Sequence, residues 1–92
     1  MERIKPESEI QKEIMDYLKR NGYYVVKVIK ATESGVPDIL FCKDGKFCAV
    51  EVKARGKKSR VTELQKIHID MIKASGGKAI VADDLFDVIE EF

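Results

Sequence analysis

The sequence predicts a single α/β domain, residues 1–92, in the order α-β-β-β-α-β-α, with a central mixed sheet flanked by helices. Three observations lead there. Asp44-Gly45 separates Ile39-Leu-Phe-Cys42 from Phe47-Cys-Ala-Val50, two apolar runs joined by the pair that a two-residue type I′ turn favours. Two stretches carry apolar residues at helical spacing, one before the first strand and one after the hairpin. The second of these stands between the third and fourth strands, which supplies the crossover a parallel pair needs.

Taken in order, Pro6 to Arg20 forms the first helix, with Ile10, Ile14, Tyr17 and Leu18 on one stripe, Ser8 as candidate cap and Asn21-Gly22 as the stop. Tyr23 to Ile29 is β-branched and aromatic, a strand, and Lys30 to Pro37 is a loop into the hairpin. Thr62 caps a second helix through Ser75, with Leu64, His68, Met71 and Ile72 as its inward stripe and Gly76-Gly77 ending it. His68 on that stripe is read as a satisfied, partly buried histidine rather than a general base. Ile69 falls off the stripe and is a candidate for a subunit interface. Lys78-Ala-Ile-Val-Ala82 is a short buried strand, and Asp83 or Asp84 opens a last helix with Leu85, Val88, Ile89 and Phe92 inward.

A chain of 92 residues buries one modest core, and 45% hydrophobic content is ordinary for a soluble globular protein. No apolar stretch approaches membrane-spanning length, and Met1-Glu-Arg-Ile-Lys5 does not open a signal peptide. The expectation is an intracellular, cytoplasmic protein (host cytoplasm if viral) with no membrane partner. Cys42 and Cys48 fall on opposite faces of the hairpin, which argues against a disulfide; both read as small buried apolar residues. One histidine and no Cys-x-x-Cys argue against structural zinc.

The net charge of +1 hides a segregation. Lys53 to Arg60 holds five cations in eight positions, Lys53, Arg55, Lys57, Lys58 and Arg60, with no acid. Such a run next to carboxylates suits a polyphosphate backbone, because lysine and arginine bind phosphates without reading sequence. The acidic segment from Asp83 to Phe92 reads as a solvated helix face far from that surface.

The hairpin register carries the chemistry. If Lys43 pairs with Lys46, then Cys42 faces Phe47, Leu40 faces Ala49 and Asp38 faces Glu51. Like charges directly opposite are destabilising, so a fold that places them there is expected to hold a cation between them. Lys53, two residues beyond Glu51, lies on the same face.

These residues resemble the virus-type replication-repair nuclease (VRR-NUC) domain of the PD-(D/E)XK nuclease superfamily, a restriction-endonuclease-like fold. The motifs are Ser8-Glu9-Ile-Gln11 in the first helix, Gly35-Val-Pro37-Asp38, Glu51-Val-Lys53, Ser59-Arg-Val-Thr62-Glu-Leu-Gln65 and Gly76-Gly77. The resemblance implies Mg²⁺- or Mn²⁺-dependent DNA cleavage by Asp38, Glu51 and Lys53, with support from a first-helix glutamate and from Gln65. Small stand-alone members, of phage or bacterial type, look like Holliday-junction resolvases and act as homodimers.

The chemistry agrees with that carry-over. Phosphodiester hydrolysis needs charge neutralised on the phosphate, a positioned water and stabilisation of the leaving oxygen. Asp38 and Glu51 supply hard oxygen ligands suited to Mg²⁺, with the backbone carbonyl of Val52 as a third. Lys53 orients the attacking water and eases the ionisation of both acids. Glu9 and Glu13 lie one turn apart on the first helix, and either reaches the same centre; the resemblance favours Glu9, while Glu13 lies nearer the apolar stripe. Gln65 stands near the start of the second helix, within reach of a water or a phosphate, or is an ordinary surface glutamine. Arg55, Lys57, Lys58 and Arg60 are candidates for DNA backbone contacts.

Three functions follow: a dimeric endonuclease for branched, Holliday-junction-like DNA, a flap, nick or single-strand nuclease within a replication-repair assembly, or a catalytically silent DNA-binding module. The intact Asp38, Glu51 and Lys53 set argues against the third. With no added DNA-reading domain in these residues, recognition by DNA shape is expected over sequence.

Overall fold

Asp44 and Gly45 both take positive φ, 52° and 75°, and the type I′ turn they form sets the register of the sheet. The computed structural model describes residues 4–92, so the leader-free opening expected at Met1 to Lys5 lies largely outside the described residues. β1 (Tyr24–Lys27) and β2 (Ile39–Lys43) are antiparallel, as are β2 and β3 (Lys46–Val52). Cys42 faces Phe47 and Leu40 faces Ala49, the pairing that the turn dictates. β4 (Lys78–Ala82) runs parallel to β3, and the sheet order is β1-β2-β3-β4.

The order α-β-β-β-α-β-α holds, with helices α1 (Glu7–Arg20), α2 (Glu63–Ala74) and α3 (Leu85–Glu91). One face of the sheet, with Ile39, Phe41, Cys48, Val50 and Val52, packs on Ile10, Ile14 and Leu18 of α1 and Val88 of α3. The opposite face is narrower: Ala49 and Ala79 receive Ile69 of α2, flanked by Leu40, Ile72 and Val81. No described helix is long and apolar enough to cross a membrane.

Several local expectations are corrected. Ile69 is 6% exposed and forms the centre of the α2 contact, whereas Leu64, Met71 and Ile67 are 44%, 58% and 50% exposed. Apolar residues ring much of α2, so periodicity alone offers two adjacent stripes; the small side chains Ala49 and Ala79 admit Ile69 and decide between them. Ile69 is therefore core and unavailable to an interface. The α1 N-cap is Pro6 with no side-chain cap, so Ser8 lies inside the helix. β1 is shorter than the segment from Tyr23 to Ile29, and Ile29 is fully outside the core. Ile89 is half exposed rather than inward, and Cys42 is exposed, with only Cys48 buried.

Candidate active site

The site forms where β2 begins and β3 ends. Asp38 is fixed from both sides: its carbonyl oxygen accepts from Val28 N–H at 2.8 Å, and its Oδ2 accepts from Val52 N–H at 2.7 Å. The carboxylate thus stands in for the next rung of the β2–β3 ladder, which a further backbone pairing would have occupied. Lys53 N–H donates to Ala82 O at 2.9 Å, towards β4. Along an extended strand successive residues alternate sides, so the N–H and C=O of Val52 both point towards Asp38.

Glu51 is 2% exposed. Its Oε2 receives Gln65 Nε2 at 3.3 Å and Lys53 Nζ at 3.6 Å, while its Oε1 is buried without a hydrogen-bond partner. Burial first, and then the neighbouring carboxylate of Asp38, push the Glu51 carboxyl up to about 8, with Lys53 opposing. A buried acid with one orphaned oxygen and a second acid beside it is a donor set that a hard divalent cation satisfies.

Gln65 does more than decorate α2. Thr62 caps the helix in a reciprocal box: Thr62 Oγ1 accepts from Gln65 N–H at 3.1 Å, and Gln65 Oε1 accepts from Thr62 N–H at 2.9 Å. The other end of the same amide reaches Glu51. Gly35 explains how this turn comes so close to the Asp38 loop: at φ +90°, a Cβ on it would stand 2.8 Å from Leu64 Cγ and 3.0 Å from the Leu64 carbonyl carbon.

The first helix contributes an acid that the sequence reading missed. One carboxylate oxygen from each of Glu7, Asp38 and Glu51 lies within 4.8 Å of the others. Glu9 lies outside that group, and Glu13 is paired with Lys5 at 3.0 Å. The overlooked signal was Glu7's spacing: it stands three and seven residues before Ile10 and Ile14, on the buried side of α1.

Comparison with known proteins now bears on this arrangement. The VRR-NUC domain family matches residues 6–83. The chain belongs to the VRR-NUC domain family. Two solved structures resemble it across almost its whole length. One, described as "VRR_NUC domain", has a TM-score of 0.80 at 23% identity, covering 96% of this chain and 98% of the other. The second, a "VRR_NUC domain protein", has a TM-score of 0.79 at 24% identity, covering 96% and 85%. No curated protein matches. The VRR-NUC assignment implies a nuclease domain of the PD-(D/E)XK type that binds DNA, in a superfamily that usually uses a divalent metal.

In this VRR-NUC domain the basic run is not an undivided patch. Arg55 pairs with Asp84 at 3.2 Å, Lys58 with Asp87 at 3.0 Å and with Asp83 at 3.9 Å, and Gly56 N–H donates to Asp83 at 2.9 Å. The acidic start of α3 therefore lies against the basic loop, correcting the expectation of a distant solvated face. The chain returns along β4, parallel to β3, and so brings Asp83 and Asp84 beside Lys53 to Lys58. The hydrogen bond from Lys58 to Asp87 raises the lysine's pKa against burial. Lys57 and Arg60 make no ion pair among the described residues.

Proposed function

We propose that this VRR-NUC domain is a Mg²⁺- or Mn²⁺-dependent endonuclease that cuts branched, four-way-junction-like DNA as a homodimer. The observation that carries the nuclease reading is the convergence of Glu7, Asp38 and Glu51, with Lys53 and Gln65 on the same Glu51 oxygen. Asp38, Glu51 and the Val52 carbonyl are the ligand set, with Glu7 beside them and Glu9 further along the helix as a supporting acid. The bound cation supplies neutralisation of charge on the scissile phosphate. Lys53, 14% exposed at its side chain and next to Glu51, orients the attacking water and balances charge as the phosphorus gains a fifth ligand. Gln65 holds Glu51 in place. Lys57 and Arg60, projecting from the loop that follows Lys53, take the DNA backbone, and Arg55 and Lys58 shape that loop.

Support for two copies comes from exposed apolar residues on α2 and on the hairpin. Leu64, Ile67 and Met71 are exposed, and Phe47, 50% exposed, lines an open cleft with Met71, Ile72 and His68. A second copy of this chain would bury that strip and set two centres side by side, as paired nicking across a junction requires.

The test is a panel of labelled four-way junction, flap, single strand and linear duplex with Mg²⁺ or Mn²⁺, alongside sedimentation of wild type and Met71→Glu. Paired symmetric nicks by a dimeric wild type, with Met71→Glu monomeric and unable to pair its nicks, are expected. Cutting confined to flaps or single strands by a monomer would replace this reading with the assembly-bound nuclease.

A further inference from the structure

We infer that Thr62 is a positioning residue of the centre: by capping α2 it fixes the Gln65 amide, and Gln65 together with Lys53 occupies Glu51 Oε2 so that Oε1 faces the cation. This rests on the divalent-metal reading above. A glutamine at a helix start has three side-chain torsions free, and a single 3.3 Å contact to Glu51 would hold it weakly. Thr62 removes that freedom. Its N–H takes Gln65 Oε1 and its Oγ1 takes the Gln65 backbone, leaving only Nε2 to face the carboxylate. The opposite amide orientation would set an oxygen against Glu51 and leave Thr62 N–H facing an NH₂ group, so the two contacts enforce one another. Oε2 then carries two donors, and the remaining oxygen, buried and unpartnered, is the one left for a ligand.

Gly35 extends the same device. Because it has no Cβ, the Asp38 loop packs directly on Leu64, the residue just before Gln65. The helix start that holds Gln65 is thereby seated against the loop that holds Asp38.

The experiment is calorimetric titration of Mn²⁺ into the DNA-free full chain for wild type, Thr62→Ser, Thr62→Ala, Gln65→Ala and the double Thr62→Ala, Gln65→Ala variant, with thermal melts of each. Gln65→Ala is expected to weaken Mn²⁺ binding roughly tenfold, the lower end for groups that orient metal ligands. Thr62→Ala is expected to weaken it about threefold or more, Thr62→Ser to stay within about twofold, and the double variant to bind no worse than Gln65→Ala, because the residues act as one unit. Should Thr62→Ala fail to fold, Thr62→Gly replaces it in both backgrounds with the same expectation, since glycine is well tolerated at a helix start while lacking Oγ1. A lowered melting temperature with wild-type Mn²⁺ affinity, or additive losses in the double variant, would overturn the inference and leave Thr62 a plain helix cap. A wild type that takes up no Mn²⁺ would overturn the metal reading and this inference with it.

Discussion

Glu51 is nearly inaccessible, carries one unpartnered oxygen and has its carboxyl pushed up to about 8 by burial and by Asp38. In the unfolded chain the same group ionises near the ordinary glutamate value of 4.5. Because the folded value is the higher one, the folded state holds the proton more firmly, and the stability this contributes is complete below pH 4.5 and lost as pH rises through about 8. Metal-free wild type should therefore lose stability on the order of a few kcal/mol over that range in urea unfolding with EDTA, and Glu51→Gln should lose much less. Wild type at saturating Mn²⁺ should recover stability at the alkaline end, where the ionised acid meets a cation. The two-residue turn made the register legible as far as Ile39 and Val50, and with it the approach of Asp38 to Glu51 and of Lys53 to Glu51. Glu7 was less so, since a helix carrying acids at Glu7, Glu9 and Glu13 presents whichever one its docked stripe selects. That choice depends on how Ile10, Ile14 and Leu18 seat on the sheet.

At the scale of elements, α2 and the basic loop separate what a pattern conveys from what packing decides. The α2 sequence announces an amphipathic helix and its cap, and Thr62 serves as read. Its inward face was not legible, because Leu64, Ile67, Ile69, Met71 and Ile72 surround much of the axis and only the small Ala49 and Ala79 opposite select Ile69. Ile69→Ala should accordingly cost about 2–5 kcal/mol in urea unfolding, and Met71→Ala less than about 1 kcal/mol in the monomer. The basic loop read as a phosphate track, yet its partners on α3 come from a segment more than twenty residues later, joined to it only by the parallel pairing of β3 and β4. Asp87→Asn removes the 3.0 Å partner of Lys58 and leaves it only the longer 3.9 Å contact to Asp83, so DNA binding should tighten at low salt. The slope of log K against log salt should steepen by roughly 0.7–0.9 if the freed lysine adds one phosphate contact. An unchanged slope would mean that Lys58 stays outside the DNA path.

For the molecule as a whole, the sheet separates two tasks. Its α1 and α3 face is the main core, built from fully buried aliphatic side chains. The α2 face is smaller and carries Glu51, Lys53 and Gln65, with apolar residues left exposed beside them. The two acids are held by different means: Asp38 is tied to the N–H groups of Val28 and Val52, and Glu51 is tied through the Gln65 side chain to a helix cap. With both acids ionised the arrangement is electrostatically unfavourable, and the account's central claim is that a divalent cation relieves it. The most direct test follows cleavage of a labelled DNA substrate that wild type cuts, with Mg²⁺, Mn²⁺ or EDTA, by wild type, Asp38→Asn and Lys53→Ala. The account predicts cutting with either metal, none in EDTA, and rates at least about 10²-fold lower in both variants. Cutting that persists in EDTA, or that survives Asp38→Asn at the wild-type rate, would contradict it.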